Sequence, residues 1–172
     1  MSSEAEHIAI ANRNQAVLEY LLHGPATCAE WVAVVAFYKA LHVVEAIFSR
    51  DSTIGHIHNH HTRLDKLKRE KQYKKLFSSY RVLWSAAIVA RYLEDRSPTT
   101  GAGAGRLYSR FQDYMPIADL RPMLLDQFLA SFERDAATFL TPSCGGLSLY
   151  APANAQLRQS VSGQASRTGT GI

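Results

Sequence analysis

The chain has 172 residues, of which 47% are hydrophobic and 20% charged, with a formal net charge of +4. At the usual ~150 residues per domain this is one domain, or one domain with a tail, and the apolar content excludes a globally disordered chain. Two cysteines, Cys28 and Cys144, exclude a disulfide framework and a four-sulfur zinc site. The absence of a long uncharged apolar window and of a signal-like N-terminus makes a cytoplasmic protein without membrane contact the expectation.

A first helix is predicted from about Ser3 to Leu22, with Ile8, Ala11, Leu18 and Leu22 on one stripe and Gln15 as a polar lapse in it. Gly24-Pro25 ends it. The capping-box pattern Thr27-Cys28-Ala29-Glu30 opens a second helix that runs to about Ser49. This helix is apolar nearly all round, interrupted by Lys39, His42 and Glu45, as befits a central helix covered by neighbours or by a second subunit. At 100° per residue, Tyr38, His42 and Glu45 fall within about 60° of one another.

A loop through Arg50-Asp51-Ser52-Thr53-Ile54-Gly55 leads into His56-Ile57-His58-Asn59-His60-His61. A short third helix is expected to begin near Asn59 or His60 and reach about Glu70, with a break near Lys71 where the apolar stripe changes phase. The fourth helix, about Gln72 to Asp95, carries the stripe Tyr73, Leu76, Phe77, Tyr80, Leu83, Trp84, Ala87 and Ile88, continued by Arg91. Residues 97–105, rich in Gly and Ala, read as a flexible linker. Arg106 to Tyr114 suggests a short helix, and Pro122 the first turn of a last helix ending near Leu140. The expected architecture is all-α: an up-and-down bundle of four to five helices over residues 1–141, followed by a largely disordered tail, 142–172. The part of that tail from about Asn154 is read as disordered or borrowed by a partner.

Charge is concentrated. Between Arg63 and Arg81 eight basic residues and two acidic ones leave +6, so the rest of the chain sums to −2. Such a stretch, including Lys74 and Lys75, attracts phosphates, and it is equally the solvated face of an amphipathic helix. All seven histidines precede Thr62. If a helix starts near Asn59, then His60 and Arg63, three apart, share its first exposed face, and His42, Glu45, His56, His60 and Arg63 gather at one end of the bundle. Glu45 and Arg91 each interrupt an apolar stripe and each require a partner; they pair with each other only if the second and fourth helices run parallel. Two further readings are open. One is a histidine-rich metal bundle resembling DinB-like proteins, from His42 with two of His56, His58 and His60. The other is an incidental surface cluster.

The pattern Glu30-Trp31 through Tyr38-Lys39-Ala40-Leu41-His42-Val43-Val44-Glu45-Ala46, then His56, His60 and Arg63, then Tyr80, Leu83 and Ala90-Arg91-Tyr92, resembles small prokaryotic HEPN-like proteins. Ala87 stands where those carry serine, and the resemblance covers roughly residues 26–95. It implies a helical bundle, often a homodimer, that in many members is a metal-independent endoribonuclease of toxin–antitoxin or phage-defence systems and needs no cofactor. The family motif of Arg, a polar residue and a later His is matched by Arg50-Asp51 with His56, although in the family it lies on a late core helix. The catalytic candidates are therefore Arg50, His56, His60 and Arg63. The binding candidates are His42, Glu45, Lys74, Lys75, Arg91 and Tyr92. RNA or a nucleotide is the expected ligand, with an antitoxin or defence partner. A non-catalytic RNA- or nucleotide-binding module and an oligomerising structural subunit are the alternatives.

Overall fold

The computed structural model describes residues 3–24, 28–54, 57–95, 105–141 and 146–152. These form an all-α bundle, with one isolated β-bridge, Glu94 to Leu107, among them. Helix α1 spans Glu4–Leu22. Its N-cap Ser3 and Glu6 form a reciprocal capping box, and the Ser3 backbone N–H bond holds the Glu6 carboxyl below its usual range. Helix α2 spans Ala29–Phe48 with Cys28 at its N-cap, where no side chain caps the helix; Thr27, expected there, lies outside the described residues. The Glu30 carboxylate accepts from Gln112 Nε2 at 3.1 Å.

Helix α2 is the axis of the fold and packs on α1, α4 and the last helix. Val32, Ala33, Ala36, Phe37, Ala40, Val43, Val44, Ile47 and Phe48 are buried on its several sides, which explains its all-round apolar sequence. Its length and mean hydropathy of 1.6 would also suit a membrane span; 78% of that window is buried inside the bundle.

Helix α3 (His60–Arg69) is capped by Asn59, whose side chain accepts from the His61 and Thr62 amides. Glu70 then turns to extended backbone, a 3-10 turn covers Lys71–Tyr73, and α4 runs Lys74–Tyr92. The break expected near Lys71 is there: Leu64 and Leu67 belong to one stripe, Tyr73, Leu76, Tyr80 and Leu83 to the next. Helices α2 and α4 are antiparallel. Tyr73, at the head of α4, stacks on Phe48 at the foot of α2 (5.3 Å), whereas Arg91 near the end of α4 reaches back to Tyr38. Helix α4 stops earlier than the expected Asp95. Leu93 adopts a left-handed conformation (φ 54°) and gives its N–H to Val89 O; Asp95 N then donates to Arg106 O and Gly105 N to Asp95 O.

The segment from Arg106 holds only a 3-10 turn, Phe111–Asp113, not the short helix expected to Tyr114. The last helix, α5, starts earlier than Pro122. It comprises an α turn Ile117–Asp119, a π-helical stretch Leu120–Leu129 and an α-helical stretch Ala130–Ala137. A proline ring clashes with the carbonyl four residues back, and the wider i→i+5 register carries Pro122 inside the rod. Leu120, Leu124, Leu125, Leu129, Phe132 and Ala136 still face the core. The Gly/Ala linker, apart from Gly105, lies outside the described residues. Within the tail, residues 146–152 lie on the bundle, Tyr150 in the core and Leu147 partly buried against it, and residues 153–172, most of the stretch read from sequence as disordered, lie outside the described residues.

Candidate functional site

The start of α3 meets the end of α4 in an open cleft of about 580 Å³. His58, Asn59, His60 and His61 line it from α3 and its approach, and Trp84, Arg91 and Tyr92 from α4. Arg63 does not line the cleft but holds His60, which does. Its side chain is buried with the carboxylate of Glu45: Nε donates to Glu45 Oε1 at 2.5 Å, and Nη2 donates to the Ile57 carbonyl. Nη1 donates to His60 Nδ1 at 3.3 Å. Arg63 is therefore not on an exposed face beside His60, as expected. Three of its five N–H donors are engaged, by a carboxylate, an imidazole and a carbonyl, and the guanidinium works as a brace that pins Ile57 and His60 to α2.

This brace decides the chemistry of His60. A guanidinium can only donate, so Nδ1 of His60 is an acceptor, and the proton of the neutral ring sits on Nε2. Burial, then the Arg63 and Arg91 charges, hold the His60 imidazolium pKa below 6.5. His60 thus presents a neutral N–H donor at neutral pH. The His60 ring is steadied against Phe37 (5.5 Å) and that of His61 edge-on against Trp84 (5.3 Å).

Arg91 lies near both the Tyr38 and Tyr92 rings, its guanidinium carbon 5.8 and 5.2 Å from their centroids. Its Nε donates to Ala87 O and its Nη1 to Tyr38 Oη at 3.3 Å, so its stripe position has neutral partners, and among the described residues no carboxylate pairs with it. Antiparallel packing rules out the Glu45–Arg91 pair. The Trp84 indole N–H, 3% exposed as a residue, has no acceptor among the described residues, although Trp84 is in the cleft wall.

His42 faces a residue not singled out in the sequence. Its Nδ1 lies 3.2 Å from Nδ1 of buried His7 on α1, so one ring donates and the other accepts. Burial, then the neighbouring His7, push the His42 imidazolium pKa down. With both His42 and His60 depressed, the unfolded chain takes up protons below pH 6.5 that the folded chain refuses. Stability is therefore complete above 6.5 and declines as pH falls through and below it, with a slope up to about 1.4 kcal/mol per pH unit for each proton. Urea midpoints measured from pH 7.5 to 5 are expected to fall, and His42→Gln to flatten the decline.

The remaining candidates lie elsewhere. Arg50 Nη1 donates to Phe139 O at 2.7 Å and Nε is 3.5 Å from Glu4 Oε2, so this guanidinium ties the foot of α2 to α1 and the end of α5. His56 lies outside the described residues. Lys74 is exposed; Lys75 donates to Thr138 Oγ1 and sits over the Phe139 ring. Along α3, Lys66 and Arg69 are partly offset by Glu70 and Asp65. Among the described residues no group of three or more His, Cys, Asp or Glu is placed to hold a metal ion. No protein-family model, curated protein or solved structure matches the chain.

Proposed function

We propose that the cleft at the start of α3 binds the phosphodiester backbone of RNA and cleaves it without a metal ion, as the likeness of residues 26–95 to HEPN-like proteins implies. The supporting observation is the convergence of the Arg91 charge, the Nε2–H of neutral His60 and the imidazoles of His58 and His61 on one opening. The positive end of the α3 dipole adds to that field. The exposed Tyr92 ring at the rim offers a surface on which a base stacks.

In this reading the His61 imidazole takes the proton of a 2′-hydroxyl, and the 2′-oxygen attacks phosphorus. The bond to the 5′-oxygen breaks, and protonated His58 gives that oxygen its proton. Arg91 and His60 donate to the non-bridging oxygens as charge builds on them. The products are a 2′,3′-cyclic phosphate and a 5′-hydroxyl. Glu45 and Arg63 position His60 without touching RNA. We place the chemistry on His58, His60 and His61, because the Arg50 side chain is tied to Glu4 and Phe139. Lys74 and Lys75 stand at the opposite end of α4, about 24 Å of helix from Arg91, and would meet only a longer strand.

The test is end-labelled single-stranded RNA in excess chelator. Cleavage to cyclic phosphate ends is expected, and His61→Ala is expected to slow it about 10²–10⁴-fold. Intact RNA would remove the nuclease reading. A gel shift that weakens steeply with salt, loses slope in Lys74→Ala/Lys75→Ala and is unchanged by His61→Ala would establish the binding module in its place.

A further inference from the structure

A second site lies on the face formed by α1, α2 and α5, where residues 146–152 cross with no regular secondary structure. The bundle reads their backbone with side chains alone. The Asn12 carboxamide takes two groups at once: Nδ2 donates to Gly146 O at 3.0 Å, and Oδ1 accepts from Ser148 N at 2.7 Å. Two residues further on the same edge is read again. Lys39 Nζ donates to Ser148 O at 2.8 Å, and Tyr150 N donates to Glu133 Oε2 at 2.6 Å.

The carbonyl of residue i and the amide of residue i+2 are the pair that a neighbouring parallel strand would engage through one of its residues. Asn12 supplies one such unit. The ion pair of Lys39 and Glu133, 0% and 1% exposed, supplies the next, with Gln15 Oε1 accepting from the same ammonium. Four consecutive groups of one strand edge are thereby satisfied without a sheet. Specificity comes from two side chains three residues apart. Leu147 packs on the core, and Tyr150, 5% exposed, enters the bundle with its hydroxyl donating to Asp126 Oδ1 at 2.8 Å.

We propose that this groove is a binding site for an extended peptide with leucine and tyrosine three apart, and that its ligand in trans is the segment 146–152 of a second copy of this chain. The segment whose fit is on view is this one, and a second copy carries both it and the same groove. Exchange between two copies reproduces the hydrogen bonds and both side-chain anchors of residues 146–152. Backbone reading of an added strand is an established mode of peptide recognition. Here it is carried by side chains of three helices. The occupied groove also explains why Lys39 and Glu133 are polar inside the core: they serve the backbone of the crossing segment, and Gln15 accepts from the Lys39 ammonium.

The experiment uses the full chain and the labelled peptide Gly-Leu-Ser-Leu-Tyr-Ala-Pro. Tyr150→Ala weakens the chain's own occupant and leaves the groove-side donors and acceptors in place, so saturable peptide binding is expected. The peptide with alanine for tyrosine should bind at least about tenfold more weakly. The unaltered chain should bind the same peptide more weakly than the variant, because its own segment competes at an effective concentration on the order of millimolar. This measurement carries the test if the variant does not fold. Sedimentation of the unaltered chain should show a concentration-dependent dimer that excess peptide converts to monomer. Absence of saturable binding overturns the site. Binding by a chain that sediments as a monomer at every concentration overturns the second copy as its ligand.

Discussion

Arg63→Ala should destabilise the protein by about 3–5 kcal/mol. The reason is what the substitution leaves behind. Glu45, 3% exposed, loses the cation that makes its ionised form tolerable in the core, and the Ile57 carbonyl loses a donor. Removing both charges with volume-conserving apolar residues, as in Glu45→Leu/Arg63→Met, is expected to recover most of the loss, because two desolvation costs disappear with the attraction that offset them. Urea unfolding monitored by helical circular dichroism measures both. A loss below about 1 kcal/mol for the single variant would mean that Glu45 reaches water or another partner. The double variant also separates stability from function. A bundle restored in stability without Arg63 no longer fixes the Nδ1 acceptor of His60, and the RNA cleavage we propose should stay impaired.

Glu133→Ala is the second large effect, again about 3–5 kcal/mol at neutral pH. Lys39, fully buried, is then left facing Gln15 and a carbonyl without a counter-charge, and Tyr150 N loses its acceptor. Burial already holds the Lys39 ammonium pKa below 10.5, and Glu133 is what chiefly opposes that shift. Without the carboxylate the folded chain prefers neutral Lys39, while the unfolded chain keeps it protonated up to about 10.5. Unfolding therefore takes up a proton, and stability of the variant should rise with pH until that value is reached. A denaturation series from pH 7 to 10 checks it: the gap to the wild type should narrow as pH increases. A constant gap would place the loss in packing and not in the stranded charge.

Much of the architecture follows from local rules. The α2 sequence is apolar on every side, which demands neighbours on every side, and the change of stripe phase at Lys71 demands a break. Ser3 with Glu6 and Asn59 at α3 show that caps are set by a few adjacent residues. The all-α bundle was legible for these reasons. Where periodicity was read too simply, backbone chemistry decided: Pro122 is accommodated by π register, not by a helix start, and α4 stops at a left-handed Leu93.

The amino-acid sequence by itself determined which positions would be polar inside an apolar frame: Gln15, Lys39, His42, Glu45 and Arg91 interrupt their stripes as plainly in the one-letter string as in space. Only the tertiary structure decided their partners. Glu45 took Arg63 because antiparallel packing carries Arg91 to Tyr38, and Lys39 took Glu133 and the backbone of residues 146–152, from more than ninety positions away. A buried charge dictates that a counter-charge exists but not its address, because pairing energy depends on distance in space and propensity acts only between neighbours in the chain.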